Sequence, residues 1–282
     1  MTSVLIGAIL ISFAPVMVLL LPFGPLEIAF LRTGLGGLFL FLLMLCFYRN
    51  ELREIPSHPK SFILMAVAGS AFAFDMYIWN LSVLTIGAGL ATVLANTQVF
   101  YMTLWGRLRG EESIDTPKLI SLLMGILGLV LISTDAAAKI LNPSYIHGVV
   151  LGLLAGFAYF LYIIFLRGSV KYRPDIDPRS SLMVSSLFSS PMQLQGMFEA
   201  NIVLWIKVLF LAIFIHIGGW YFISRAFKAL TPSVVGICLL LQPVLSSLWG
   251  SLFFEEIFRL QQIIGISLTL SAVAMIHYRS LL

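Results

Sequence analysis

Gln98-Val-Phe-Tyr-Met-Thr-Leu-Trp-Gly-Arg-Leu-Arg-Gly-Glu-Glu112 is written a second time, 144 residues later, as Gln242-Pro-Val-Leu-Ser-Ser-Leu-Trp-Gly-Ser-Leu-Phe-Phe-Glu-Glu256. Seven of the fifteen aligned pairs are identical: Gln98/Gln242, Leu104/Leu248, Trp105/Trp249, Gly106/Gly250, Leu108/Leu252, Glu111/Glu255 and Glu112/Glu256. The register runs without a gap back to Tyr77/Tyr221 and forward to Ser121/Gly265, where both positions hold a small residue. One offset kept over this length marks a duplicated unit, and the repeat organises everything else. The two units are residues 1–140 and 141–282.

Composition says what surrounds them. Of 282 residues, 60% are hydrophobic and 11% charged, with a mean hydropathy of +1.01. A soluble domain carries roughly a quarter charged residues, so lipid must wet most of this chain. The net charge of +4 does not imply nucleic acid, because the basic residues sit in short connections rather than in a stripe. Cys46 and Cys238 lie in apolar runs of different units, which gives neither a disulfide framework nor metal-ligand spacing. No cofactor is expected. The first apolar run begins at Val4 without a basic segment before it, unlike a cleaved signal.

A helix crossing the bilayer core takes about 20 apolar residues. Ten runs qualify: 3–21, 26–47, 60–80, 84–107, 117–134, 147–167, 179–198, 203–225, 231–253 and 261–278. Turn chemistry separates them at Pro22–Pro25, Pro56–Pro59, Asn142-Pro143, Pro174–Pro178 and Thr231-Pro232. Five spans fall in each unit. After an odd number of crossings the second unit starts from the opposite side, so the units are inverted about an axis in the membrane plane. The fold class expected is an all-α polytopic membrane protein of ten transmembrane helices in an inverted five-plus-five repeat. Of the 17 Lys and Arg, all but Arg32, Lys139, Lys207 and Arg259 fall on the side of Met1. That places both termini in the cytoplasm. No connection is long enough for a soluble domain, which removes most enzyme classes and all nucleic-acid binding.

Ten spans, the doubled five-helix unit, Gln242-Pro243-Val244 in the ninth span, Gly110-Glu111 after the fourth and a small residue opening the last span resemble the EamA-type transporters of the drug/metabolite transporter superfamily. The resemblance covers essentially the whole chain. It implies a multi-pass protein of a bacterial-type inner (plasma) membrane that moves small metabolites, amino acids or drugs, commonly outward. Arg32 resembles an arginine common in that family. The chain departs from the pattern at Gln98-Val99, where many relatives have Glu-Pro or Gln-Pro, and at Phe254-Glu255, where they have Gly-Glu.

Polar groups in hydrocarbon mark a pathway by default. Asp75 and Trp79 share a face of span three, and His216 and Trp220 share the equivalent face of span eight. Asp75, poorly solvated, is the candidate to couple transport to protons, with His216 second; an ordinary hydrogen-bonded interior role is open to each. Helix counting separates them by on the order of 10 Å along the normal, so no direct ion pair is expected. Arg32 either binds an anionic group or holds neighbouring carbonyls. Asn96, Thr97 and Gln98 cannot all face one way, so some of them join helices. The cavity is expected from Asp75, Tyr77, Trp79, Asn96, Gln98, Tyr101, His216, Trp220, Gln242, Ser246 and Arg32, with Pro243 loosening a gate. Glu27 should sit at headgroup level, Trp105 and Trp249 should anchor at opposite interfaces, and the Glu111-Glu112 and Glu255-Glu256 turns should cap the helices that follow them. Gly148, Gly152 and Gly156 allow a close helix contact, within the monomer or at a homodimer face.

The expectation is a secondary transporter, an exporter or exchanger for a small solute such as an amino acid, working by alternating access in the lipid bilayer. Its rivals are a lipid-carrier flippase or flippase subunit and an uncoupled facilitator. No nucleophile–base pair or His-Glu-x-x-His supports an intramembrane enzyme.

Overall fold

The computed structural model describes residues 1–55, 57–86, 88–132, 143–172, 178–189, 201–254 and 259–279, and Lys139, Pro174, Pro191, Glu255 and Glu256 lie outside them. Helices occupy each of the ten apolar runs. Span one is Thr2–Ser12 with Ala14–Leu20, span two Pro25–Phe47, span three Pro59–Ile86, span four Ala88–Ala95 with Gln98–Leu108, and span five Thr116–Ile132. Span six is Pro143–Tyr172 and span seven begins with Pro178–Phe188. Span eight is Ile202–Leu209, a π-helix over Phe210–Gly218, and Gly219–Ala226. Span nine is Pro232–Leu239 with Leu241–Phe254, and span ten Leu260–Arg279. Among the described residues no strand occurs, and the chain is an all-α polytopic membrane protein.

The break expected at 80–84 is absent. Span three continues through Asn80-Leu-Ser82 because its hydroxyls find partners there: Ser82 donates to the Gly148 carbonyl at 2.8 Å, and Thr85 to that of Leu81 at 3.0 Å. The polar residues that read as a turn are interhelical and intrahelical bonds. Gly148, Gly152 and Gly156 resolve to a contact within the monomer. A Cβ at each would lie within 3 Å of atoms of Thr85, Leu94 or Thr97, so spans three and four lie directly on span six.

The inversion is visible where equivalent helices touch. Spans five and ten pack with Gly125 facing Ala272, Gly128 facing Gly265 and Thr269, and Ile132 facing Gly265. Position numbers rise in one helix as they fall in the other, so the two copies of the fifth span run antiparallel. Gly125 and Thr269 are equivalent by the 144 offset, and the Thr269 hydroxyl donates to the Gly125 carbonyl at 3.4 Å. Phe72 and His216 are equivalent too, and their rings stack with centroids 5.9 Å apart. Equivalent residues meet only near the pseudo-two-fold axis, and these two pairs locate it. The neighbour pattern is the same from either unit: span one packs on eight and nine, span six on three and four.

Two equivalent helices are broken at one repeat position by different chemistry. Span nine breaks at Leu240, where Pro243 withholds the N–H that would bond Leu239. Span four breaks at Asn96-Thr97, and Asn96 is equivalent to Leu240. No proline is present; instead Asn96 Nδ2 donates to the Thr92 carbonyl at 2.8 Å and Thr97 Oγ1 to that of Leu94 at 2.6 Å. Side chains bonding back to their own turn bend the helix and tighten it.

At the end that carries Met1, the Glu111-Glu112 turn crosses between units. Gly110 sits at φ +67°, the left-handed conformation glycine tolerates, and sends the chain sharply away from span four. Glu111 pairs with Arg167 at 2.6 Å and Lys171 at 3.2 Å, both on span six. Glu112 accepts from the backbone N–H of Ser233 at 3.1 Å, from the Ser233 hydroxyl, and from Lys118 at 3.1 Å. The capping expectation is therefore corrected: Glu112 caps span nine of the other unit, while the following helix takes its cap from Asp115, which accepts from Lys118 N at 3.1 Å. Glu27 caps its own helix, accepting from Gly24 N at 2.7 Å. Trp249, rather than only anchoring at an interface, donates to Ser12 at 2.9 Å and stacks on Phe13 at 4.3 Å.

Two measurements test these contacts. Gly128→Leu forces spans five and ten apart and is expected to cost at least 1–3 kcal/mol, about the range for overpacking, read as a lower unfolding midpoint in detergent. Lipid-facing Leu127→Ala should barely move it; equal midpoints for both variants would remove the crossing. Arg167 first, and Lys171 after it, hold the Glu111 carboxyl below the ordinary value of 4.5. A depressed carboxylate stabilises above its unfolded value and stops doing so as pH falls through the folded one. The stability gap between wild type and Glu111→Gln should stay level above about pH 5 and close on acidification below it; a gap that widens there would contradict the pairing.

Candidate functional site

Between the two units, near the broken helices, lies a cavity of about 130 Å³. Its charged wall comes from the first unit: Arg32, about two turns inside span two, and Asp75 of span three. The second unit supplies Tyr159, Trp220, Gln242, Pro243 and Ser246. Phe72, Trp79, Thr92 and Asn96 complete most of the remainder. Broken span four delivers Asn96 and broken span nine delivers Gln242, each within three residues of its interruption. Discontinuous helices at mid-depth, with irregular backbone lining a cavity, are a recurring way to build a solute site in a membrane.

Arg32 and Asp75 are 7% and 6% exposed, so both have left water. Each feels the other's field, yet among the described residues neither belongs to an ion pair. Arg32 Nε and Asp75 Oδ1 have no hydrogen-bond partner, and neither has Gln242 Nε2. The Tyr159 hydroxyl interacts with the Gln242 side chain across the cavity. A buried charge without a partner costs several kcal/mol, by roughly the effective penalty for ions in protein interiors. Two side chains able to carry opposite signs in one small cavity complement a ligand that carries both signs.

Of the expected residues, Asp75, Trp79, Asn96, Trp220, Gln242, Ser246, Arg32 and Pro243 come together here. Four do not reach the wall. Tyr77 is half exposed and faces out of the bundle. Tyr101 packs edge-on against Phe157 at 5.4 Å. Gln98 is fully buried on the far side of the span-four break, with neither amide atom bonded. His216 lies in the π-helix and stacks on Phe72, which Trp220 also meets edge-on, so Phe72 and Trp220 rather than His216 reach the cavity wall. It bonds Ser186 Oγ through Nε2 at 3.1 Å and makes no ion pair with Asp75. Tyr159 is the residue that sequence reasoning missed. Its equivalent is Pro15, so the repeat gave no echo, although its spacing of one turn from Gly156 and Gly152 put it on the contact side of span six.

Below the cavity, toward the Met1 end, the bundle is closed. Tyr162 packs on Phe72 and Trp220 with centroids at 4.4 and 4.5 Å. Leu166, Val235 and Leu239 are fully buried beneath them. The Glu111 and Glu112 contacts end this plug, about 12–14 Å from the cavity along spans six and nine. Among the described residues no cluster of His, Cys, Asp or Glu is arranged to hold a metal.

The chain was compared with known proteins. It is 23% identical over 259 residues to an uncharacterized transporter of Archaeoglobus fulgidus, covering 89% of this chain and 87% of the relative. To an uncharacterized transporter of Bacillus subtilis it is 22% identical over 283 residues, covering 98% and 90%. A crystal structure of a protein 17% identical in sequence superposes with a TM-score of 0.76 over 99% of this chain and 98% of that one, which shows a shared fold. The EamA-like transporter family matches residues 1–134 and again 146–278. Two copies of that domain fill nearly the whole length, and the chain belongs to the EamA-like transporter family.

Proposed function

We propose that this transporter moves a small zwitterionic solute, an α-amino acid or a close analogue, by alternating access between its two inverted units. The observation that carries the reading is the pair of buried charges, Arg32 and Asp75, facing one cavity without pairing to each other. A carboxylate fits the planar fork of Arg32, and an ammonium fits Asp75. Phe72, Trp79 and Trp220 offer an apolar body its surface. The volume supports a small cargo, since sites for drug-sized ligands run to about 300–1,000 Å³.

The closed end is the cytoplasmic one by the distribution of basic residues. The Glu111 and Glu112 contacts there join the first unit to spans six and nine of the second, and parting them opens the seam. Outward movement follows if solute enters from that side and leaves from the other. Asp75 carries the proton: among the described residues it is the one carboxylate lining the cavity, free to take a proton when no solute ammonium faces it. Exporter and exchanger share this cycle and differ in whether the empty carrier returns.

The test starts from purified protein and a thermal-shift screen of the α-amino acids, each beside its amine-only and acid-only analogue. Zwitterions are expected to raise the midpoint and the one-charge analogues to leave it. In proteoliposomes Arg32→Ala should weaken the hit by about 10–150-fold, the effect of roughly 1.5–3 kcal/mol for a charged hydrogen bond. Arg32→Lys should fall between, keeping charge without the fork. Asp75→Asn should abolish flux driven by a pH gradient and, because the ammonium loses its charged partner, weaken without abolishing exchange of labelled for unlabelled solute. Gradient-driven flux at the wild-type rate in Asp75→Asn would end the coupling role, and one-charge analogues binding as well as zwitterions would end the substrate reading.

A further inference from the structure

Leu10, Phe39, Leu43, Phe47, Ile213 and Phe214 are among the residues lining a second, larger hollow, a groove of about 510 Å³ bounded by spans one, two, seven and eight. It shares no lining residue with the central cavity. Phe39, Phe47 and Phe214 are exposed, so in a bilayer the groove opens on acyl chains. Along span two it runs from Phe39 to Phe47, and along span eight from Ile213 to Phe222. Either path is about 12–14 Å at the helical rise per residue. Half of a hydrocarbon core is about 15 Å, so the groove is one leaflet deep.

Its chemistry changes at the Met1 end. Arg179, itself part of the lining, lies 3.7 Å over the ring of Tyr48, which also lines it. Arg225 lies 5.9 Å from the ring of Tyr221, another lining residue. Tyr48 stands at the end of span two and Arg225 in the last turn of span eight. Both arginines therefore sit at headgroup depth above an apolar furrow, beside the tyrosines that favour that level. The π-helix shapes the furrow, because Ile213, Phe214 and Ile217 all belong to it.

We propose that this groove holds an acyl chain of one anionic phospholipid from the leaflet on the Met1 side, with its phosphate between Arg179 and Arg225. Charge complementarity and the match to a single leaflet select this occupant. A second protein chain would bury apolar surface there equally well but would not call for two arginines at the headgroup plane. A neutral phospholipid fills the furrow but brings no net negative charge to the two guanidinium groups. The site does not depend on what the central cavity carries.

Native mass spectrometry of the full chain in detergent, titrated with dioleoyl-phosphatidylglycerol or dioleoyl-phosphatidylcholine, reads the site directly. One phosphatidylglycerol per chain is expected to be retained in preference to phosphatidylcholine, with a matching rise in unfolding midpoint. Arg179→Gln with Arg225→Gln should weaken phosphatidylglycerol by about 25-fold, roughly fivefold for each arginine near an anionic headgroup. Leu43→Trp, which fills the furrow and leaves the charges, should weaken both lipids. The control Arg107→Gln with Arg109→Gln removes the same charge from another part of that end and should leave the preference intact. An equal loss in the control, equal retention of the two lipids by wild type, or undiminished binding to Leu43→Trp would each overturn the assignment.

Discussion

Hydrocarbon offers a backbone carbonyl or a charged side chain nothing to bond, and each feature of this molecule is a response to that absence. It forces the chain into helices, since a helix satisfies its backbone within one segment. It also restricts where a helix can be interrupted. Spans four and nine break at equivalent positions, and both breaks lie beside the central cavity. In span nine a proline makes the break; in span four the side chains of Asn96 and Thr97 occupy the carbonyls of the preceding turn. The requirement was met twice by different residues, which is why the first unit can lack the proline at Val99 and keep the geometry.

The same constraint explains why the two units are alike in backbone and unlike in chemistry. The antiparallel crossing of spans five and ten needs small residues at Gly128 and Gly265, and the stack of Phe72 on His216 needs flat rings at the axis. Both are symmetric demands. The cavity is not symmetric: the first unit gives Arg32 and Asp75, while the second gives Tyr159, Trp220 and Gln242. The proposed solute is asymmetric, and near a pseudo-two-fold axis identical walls would not serve it. The departure from symmetry is thus marked at the cavity wall.

Much of this was legible in the residues because the signals were local or repeated. Apolar length gave the spans, the 144-residue offset gave the doubling, and the odd number of crossings gave the inversion. Rarity in an apolar run pointed to Arg32 and Asp75. What escaped was set by distant partners or by helix type. Ser82 reads as a turn residue until Gly148 is placed beside it. Glu112 reads as a cap for the next helix, yet the N–H it accepts belongs to Ser233, 121 residues away. His216 reads as a wall residue beside Trp220 until Phe72 is stacked on it and Ser186 is placed against its Nε2. Nothing in Phe210–Gly218 explains in physical terms why the π-helix forms there.

Spans six and nine connect the closed end to the cavity in mechanically different ways. Span six is unbroken from Pro143 to Tyr172, with Arg167 held by Glu111 and Tyr159 in the cavity wall eight residues away. A displacement at Arg167 therefore arrives at Tyr159 as the motion of a rigid rod. Span nine is held at Ser233 by Glu112 and presents Gln242 to the cavity, but the break at Leu240 stands between. Its two halves can tilt separately, because the interruption has already given up the bonds that would resist. Tyr159 and Gln242 interact at the cavity wall, so one partner stands on the unbroken rod and the other beyond a hinge. In the proposed alternating-access cycle, parting the contacts at the closed end moves the two sides of this contact unequally, which is how that cycle would release a solute bridging the walls.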